Sequence, residues 1–457
     1  MLIRKPFGSP VSFVASLSML ALLMLGFLVS PALADDGSKI DSGDTAWILV
    51  STALVLFMTI PALALFYGGL VRTKNVLSVL MHCFAMAALI SVLWVLFGYS
   101  IAFDEGNPFF GYFGKALLGG PGGAARDAVS GTIPETLFCA FQMTFAIITP
   151  ALVIGAFVER MKFLAVMLFS ALWLIVVYLP ICHMTWYAND DGISGWFKEM
   201  GVMDFAGGIV VHITAGVAAL VACVMVGKRK GYPETPMIPH NLTYTVIGAA
   251  MLWVGWFGFN AGSALAADGS AAMALLVTHL SAATATLTWM GIEWWGNGKP
   301  SVLGAATGAI AGLAAVTPAS GFIGPEGALA IGFTSGAVCY FASTAVKKRF
   351  AYDDSLDVVG VHGVGGFIGV VMVAFFAHPT LGGLGYSSGV AGINSSHGMP
   401  EQLKAQLVGG GVTIVYTLVA SILVFWVIDK MVGLRVSEAD EEQGLDLAEH
   451  AETGYSL

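Results

Sequence analysis

The chain has 457 residues, 57% of them hydrophobic and only 11% charged, with a formal net charge of −9. A soluble domain carries about 25% charged residues, so the charges here are too few to cover a water-facing surface. No basic footprint for nucleic acid exists either, and recurring apolar stretches of membrane-spanning length predict an all-α integral membrane protein.

Arg4 and Lys5 precede an apolar run reaching Val29, and Pro31-Ala-Leu-Ala34 ends in an Ala-x-Ala pattern before Asp35 and Asp36. This layout predicts a secretory signal peptide over residues 1–34, cleaved after Ala34, and a mature N-terminus outside the cytoplasm. The alternative is an uncleaved extra span.

Eleven transmembrane helices are predicted within a membrane domain over residues 35–432. They lie near 46–71, 76–103, 135–158, 163–182, 205–227, 242–266, 271–296, 302–317, 323–345, 358–378 and 405–432. With the N-terminus outside, thirteen Lys and Arg fall in cytoplasmic connections, from Arg72 to Arg435, against five outside, from Lys39 to Lys404. That is the bias expected of cytoplasmic loops. Residues 433–457 then form an acidic cytoplasmic tail. The outer segments 105–133 and 379–404, rich in Gly, Ser and Pro, read as connecting loops.

The glycines sit within the apolar runs, where small residues let helices approach closely. Gly304, Gly308 and Gly312 fall four apart and predict helix packing. Cys83, Cys139, Cys182, Cys223 and Cys339 form no CxxC pair and read as buried apolar residues. No HExxH is present, which argues against a metalloprotease; the chain is not expected to be an enzyme.

Two segments echo each other. Asp204-Phe-Ala-Gly-Gly opens the fifth span and His212 follows; Asp357-Val-Val-Gly opens the tenth and His362 follows. Opposite orientations of those spans suggest an inverted five-plus-five-helix repeat, whose interface would hold a substrate path near the midplane. His212 lies about 12 Å beyond Asp204, and His362 about 7.5 Å beyond Asp357. Ionisable groups at such depth are either satisfied neutral core residues or parts of a pathway. Asp204 reads as a helix cap, or as a carboxylate attracting cations at the outer mouth. Phe145, Trp186, Trp253, Trp256, Phe257 and Phe259 either face lipid or offer ring faces to a cation. Asn260 and Ser263 follow on the sixth span.

Asp204-Phe-Ala-Gly-Gly-Ile-Val-Val-His212-Ile-Thr-Ala-Gly, continuing to Gly227-Lys-Arg229, resembles the signature of the ammonium transporter family (Amt/MEP/Rh). Phe66-Tyr-Gly-Gly-Leu-Val-Arg72, Gly255-Trp-Phe-Gly-Phe259-Asn-Ala-Gly-Ser263 and Gly360-Val-His362-Gly-Val resemble it too. The likeness covers essentially the whole mature chain. It implies an outer recruitment site for ammonium at Phe145, Trp186 and Ser263, a gate of Phe145 and Phe259, and twin pore histidines, His212 and His362. Asp204 matches the family's outer structural aspartate. Trp186 points to the Amt branch, bacterial type, in the inner membrane.

The same resemblance implies a homotrimer with a central pore in each subunit, and no cofactor. The tail, Gly433-Leu-Arg435-Val and Glu442-Gln-Gly-Leu-Asp446, is similar to one on which PII-type regulatory proteins dock. His450-Ala451-Glu452 departs from the family there, which often has glycine between His and Glu. Competing expectations are an ammonium sensor that signals through its tail with little flux, and a channel for methylamine or carbon dioxide.

Overall fold

The computed structural model describes residues 40–119, 129–189, 191–386 and 398–455. The expected signal peptide lies outside these residues. Ten helices among them are long and apolar enough to cross a membrane. They are α1 (Ser42–Leu70), α2 (Thr73–Phe103), α3 (Glu135–Ala156), α4 (Phe163–Trp186), α5 (Gly208–Val226), α6 (Leu242–Gly262), α7 (Gly269–Asn297), α9 (Pro325–Phe350), α10 (Val359–Phe376) and α11 (Met399–Val432). The eighth expected span is a shorter apolar helix, α8 (Val302–Val316). At 15 residues it covers about 22 Å, against the ~30 Å of a hydrocarbon core.

The glycines of α8 pack as expected. A Cβ on Gly308 would stand 2.8 Å from the Cβ of Trp289, and one on Gly312 would stand 2.5 Å from the Ser281 carbonyl oxygen. Both neighbours belong to α7, so the two backbones touch along this stripe. All five cysteines are buried and free. The last span begins at Met399, six residues earlier than expected, with Pro400 in its first turn, where the missing N–H costs nothing.

Several helices contain one widened, π-helical turn. In α1 it covers Met58–Leu63 and contains Pro61, whose ring removes one donor from the ladder. Two others, Gly208–Ile213 and Val359–Val364, carry His212 and His362. Such turns shift the following side chains around the axis and concentrate at functional sites.

The segment expected as a plain connection, 105–133, carries more structure among its described residues. Gly106–Asn107 pairs with Phe110–Gly111, and Val129–Ser130 with Ile133–Pro134, as two small antiparallel hairpins.

On the opposite side the tail forms two short helices, α12 (Glu438–Gln443) and α13 (Leu445–His450). It is not a freely solvated acidic segment. Asp446 accepts the backbone N–H groups of Leu77 and Ser78, capping the start of α2, and the Asn75 side chain accepts from Leu445 N. Glu441 is buried and takes Arg435 at 2.6 Å and the Lys230 N–H at 2.7 Å.

Beneath the tail lies a buried ion-pair network. Glu159 accepts from Arg72, Asn75 and Arg229, and Asp353 takes Arg229 in a forked pair at 2.8 and 3.0 Å. Burial alone would raise both carboxyls, but Arg229 with Arg72 holds Glu159 below its ordinary range, and Arg229 with Arg160 does the same for Asp353. The network ties together the ends of α1, α3, α5 and α9 on the side of the tail.

Candidate functional site

The segment before α5 begins with Asp204. Its carboxylate accepts four backbone N–H groups, from Gly207, Gly208, Ile209 and Val210, at 2.6–3.2 Å. This satisfies donors that every helix start leaves open. Burial nonetheless pushes the Asp204 carboxyl above its ordinary range, against those four donors. The turn requires Gly207 at φ 120°, a conformation that side chains with a Cβ resist. Asp204 is thus placed as a helix cap, and it makes a second contact: the Trp186 Nε1–H donates to the Asp204 carbonyl oxygen at 2.9 Å.

The start of α10 repeats the design, with a different residue from the one the echo suggested. Asp357 does not cap its helix; it sits at φ 62° and binds Lys347 Nζ at 2.7 Å. The cap is Asp354, whose Oδ2 accepts from Val359 N at 2.8 Å. Burial raises the Asp354 carboxyl to about 7, with Lys347 opposing and Asp357 adding to the rise. The usable signal was spacing, since Asp354 precedes His362 by the same eight residues that separate Asp204 from His212.

Where α5 and α10 cross, their backbones nearly touch. A Cβ on Gly216 would stand 2.2 Å from the Gly363 Cα, and one on Gly366 would stand 2.7 Å from the His212 Cβ. Absence of those side chains lets the two histidines meet. Their Nδ1 atoms are 3.2 Å apart, and the rings stack at 5.2 Å and 23°. Both are nearly sealed from solvent.

One Nδ1 must donate and the other accept. In a neutral pair, the donor ring then has a bare Nε2 and the acceptor ring an Nε2–H. The pair therefore presents one acceptor and one donor, and the roles exchange when a proton arrives at the bare Nε2, the Nδ1 proton crosses between the rings, and the other ring gives up its Nε2 proton. His212 Nε2 has no hydrogen-bond partner among the described residues.

Both imidazoles line a narrow cavity whose other walls are chiefly apolar, including Phe66, Ile148, Leu152, Val211, Leu252 and Ile310. Trp256 and Phe259 lie against His212, at 5.6 and 6.2 Å between ring centres. The Trp256 N–H is engaged by Thr317 at 2.9 Å, so it presents an apolar face to the cavity. Trp256 was singled out in sequence only as one of several aromatics.

Beyond the histidines the rings continue toward the end of α4 that carries Trp186. Phe259 and Phe145 pack at 4.3 Å, and Phe145 meets Trp186 edge-on at 5.9 Å and 86°. Both phenylalanines are buried, whereas Trp186 is partly exposed. Ser263 makes no hydrogen bond to Trp186. Its hydroxyl donates to the Phe259 carbonyl oxygen at 2.8 Å, one turn back on α6, which leaves its lone pairs free to accept. Trp253 and Phe257 turn away toward His279 and take no part.

A profile described as Ammonium Transporter Family matches residues 46–455. The chain belongs to this family. An "Ammonium transporter" of Bacillus subtilis (strain 168) is 45% identical over 413 residues, covering 90% of this chain and 98% of that one. Among solved structures, Saccharomyces cerevisiae Mep2 superposes with a TM-score of 0.79 at 33% identity, covering 88% of this chain and 89% of its own. A protein called "Sensor Amt Protein" superposes with a TM-score of 0.80 at 28% identity, covering 89% and 98%. The chain is thus a multi-pass membrane protein of the Amt type, in a family of transporters and not of enzymes.

Proposed function

We propose that this protein transports ammonium by removing a proton from it at the outer vestibule and passing ammonia inward through the apolar cavity. Potassium matches ammonium in size and charge, so a wide wet pore could not separate them. Moving such an ion intact into a dry interior costs on the order of 20 kcal/mol by an idealised estimate. One cation–π contact returns about 0.5–2 kcal/mol. Holding the ion at the mouth therefore does not suffice to carry it through. Ammonia crosses an apolar lining cheaply, and potassium has no proton to surrender.

In this reading Trp186 and Phe145 offer ring faces to the cation and the Ser263 oxygen accepts from it. Phe145 and Phe259 form the gate. Below them His212 and His362 hydrogen-bond ammonia and relay the proton separately, so that net ammonium moves. The observation that supports it most is the imidazole pair, 3.2 Å apart between Nδ1 atoms, within a chiefly apolar cavity under a phenylalanine pair. Solid-supported membrane electrophysiology on reconstituted protein tests it. Ammonium pulses should give currents and potassium pulses none; equal currents would end the proposal.

The assembly belongs to the same proposal: a homotrimer with one pore per subunit in a bacterial inner membrane, made after removal of residues 1–34. The mature N-terminus faces out, the tail faces the cytoplasm, and a PII-type protein docks there. The likeness to "Sensor Amt Protein" favours a second reading, an ammonium sensor with little flux. Absence of any ammonium-driven current, with tail-dependent partner binding intact, would select it.

A further inference from the structure

His183 lies near the outer end of α4, three residues before Trp186, and is fully buried. Both of its ring nitrogens face backbone carbonyls. Nδ1 is 3.0 Å from the Ala102 oxygen, and Nε2 is 2.9 Å from the Asn107 oxygen. A neutral imidazole carries a single N–H and satisfies one of these; in the other contact, lone pair faces lone pair. An imidazolium carries two N–H groups and satisfies both.

The acceptors sit on different elements. Ala102 ends α2, and Asn107 belongs to the first outer hairpin. That hairpin also receives Trp196 N on its Pro108 oxygen at 2.8 Å. The main chain following Trp186 returns so closely that a Cβ on Gly195 would stand 2.1 Å from the His183 carbonyl oxygen. The ring thus joins the outer ends of α2 and α4 and the hairpin at one point.

Building on the recruitment site proposed above, we propose that His183 is a proton-dependent positioning residue for Trp186. Protonated, it donates to both carbonyls and fixes the end of α4. Neutral, it releases one of them and the indole's support loosens.

Among the described residues the groups around the ring are few. Tyr187 stacks on it at 4.4 Å and 13°, and Cys182 neighbours it in sequence. Just after α2 comes Asp104, whose carboxylate also accepts from Gly114 N and Lys115 N. Glu105 and Asp191 lie beyond, around Tyr187. The Lys115 ammonium is taken up by Glu135 at 2.6 Å.

Solid-state nitrogen NMR in bilayers reads the ring directly, with its signals assigned by their loss in His183→Gln. The expected result, over the range from about pH 5 to about pH 8 where histidine titrates, is two N–H groups on the acid side and one on the alkaline side. The half-saturating ammonium concentration of the current should rise through the same midpoint. His183→Gln has one donor arrangement at every pH, so its half-saturating value should lack that step and exceed the wild type's on the acid side by about fivefold, the size of one net hydrogen bond. Trp186→Leu, measured in parallel, tests recruitment by itself; an unchanged half-saturating value there removes the recruitment reading. A single neutral tautomer throughout, or the same pH step in His183→Gln as in the wild type, overturns the role of His183 and leaves recruitment standing.

Discussion

Asp204 and Asp354 each stand eight residues before a buried histidine, and each accepts backbone N–H from the start of the helix that carries it. Three residues after each carboxylate the chain takes a positive φ, at Gly207 (120°) and Asp357 (62°). The widened turns that follow, Gly208–Ile213 and Val359–Val364, hold His212 and His362 against one another. The two halves of the chain build their contribution to the site in the same way.

Replacing either histidine should remove selective transport. In His212→Ala or His362→Ala one side of the 3.2 Å contact is lost, and the cavity keeps a single imidazole with no partner ring to exchange a proton with. Ammonium and potassium pulses on reconstituted membranes are the measurement. If both variants retain the wild-type ammonium current and its selectivity, the relay has no place in the mechanism.

Phe259→Ala should open the proposed gate without preventing folding. Phe259 packs 4.3 Å from Phe145 and lies over His212, so truncation removes one of its two rings. The deleted ring leaves a cavity that costs about 3–5 kcal/mol in a tightly packed core. Stopped-flow water permeability of vesicles should rise, while size-exclusion profiles stay those of the wild type.

Gly216→Ala should impair transport through main-chain spacing alone. The added Cβ would fall 2.2 Å from the Gly363 Cα, and backbone cannot step aside as a flexible side chain can. Overpacking of this sort costs about 1–3 kcal/mol, and here it also parts the histidines. Gly291→Ala is the control, because nothing lies within 4 Å of its Cβ; a helical glycine replaced by alanine there should gain about 1 kcal/mol. Thermal midpoints and ammonium currents of the two variants should diverge accordingly.

Asp354 should titrate near neutrality. Burial raises its carboxyl to about 7 from an ordinary 3.8, and its Oδ1 has no hydrogen-bond partner among the described residues. The folded chain therefore holds a proton that the unfolded chain has already released. Its contribution to stability is full below about pH 4, declines as pH rises toward about 7, and is level above that. An infrared carbonyl band lost through neutral pH, and absent in Asp354→Asn, would report the group. The variant should also flatten this part of the dependence of thermal midpoint on pH.

Arg229→Ala should be the most destabilising change on the tail side. It takes the forked pair from Asp353, which keeps Arg160 at 3.9 Å, and one partner from Glu159, both buried. Breaking a buried ion pair by removing one partner costs about 3–5 kcal/mol. Asp353→Asn in the same background should recover part of the lost thermal midpoint, because it removes the carboxylate that has lost its forked partner.

The spans could be read from sequence because a bilayer demands about 20 apolar residues in a row, a constraint that local detail does not disturb. His212 and His362 stood out for the converse reason, as ionisable residues inside such runs. Asp354 did not. Asp353, Asp354 and Asp357 crowd within five positions, and residue type alone does not say which carboxylate turns toward the helix start, which takes Arg229 and which takes Lys347. The widened turns left no compositional trace either, and Gly216 looked like any packing glycine until its partner backbone was in view. Val302–Val316 fell short of a full span because Thr317 and Pro318 follow at once; hydropathy continues past them, but the helix does not.

Trp186 hangs by its N–H from the carbonyl of Asp204, and the carboxylate of that same residue anchors the His212 segment. One amino acid is therefore a shared bracket for the indole and for the helix that carries His212. The separation between indole and imidazole is spanned by main chain, like marks on a ruler. A substitution at Asp204 should therefore disturb both ends of the proposed path at once.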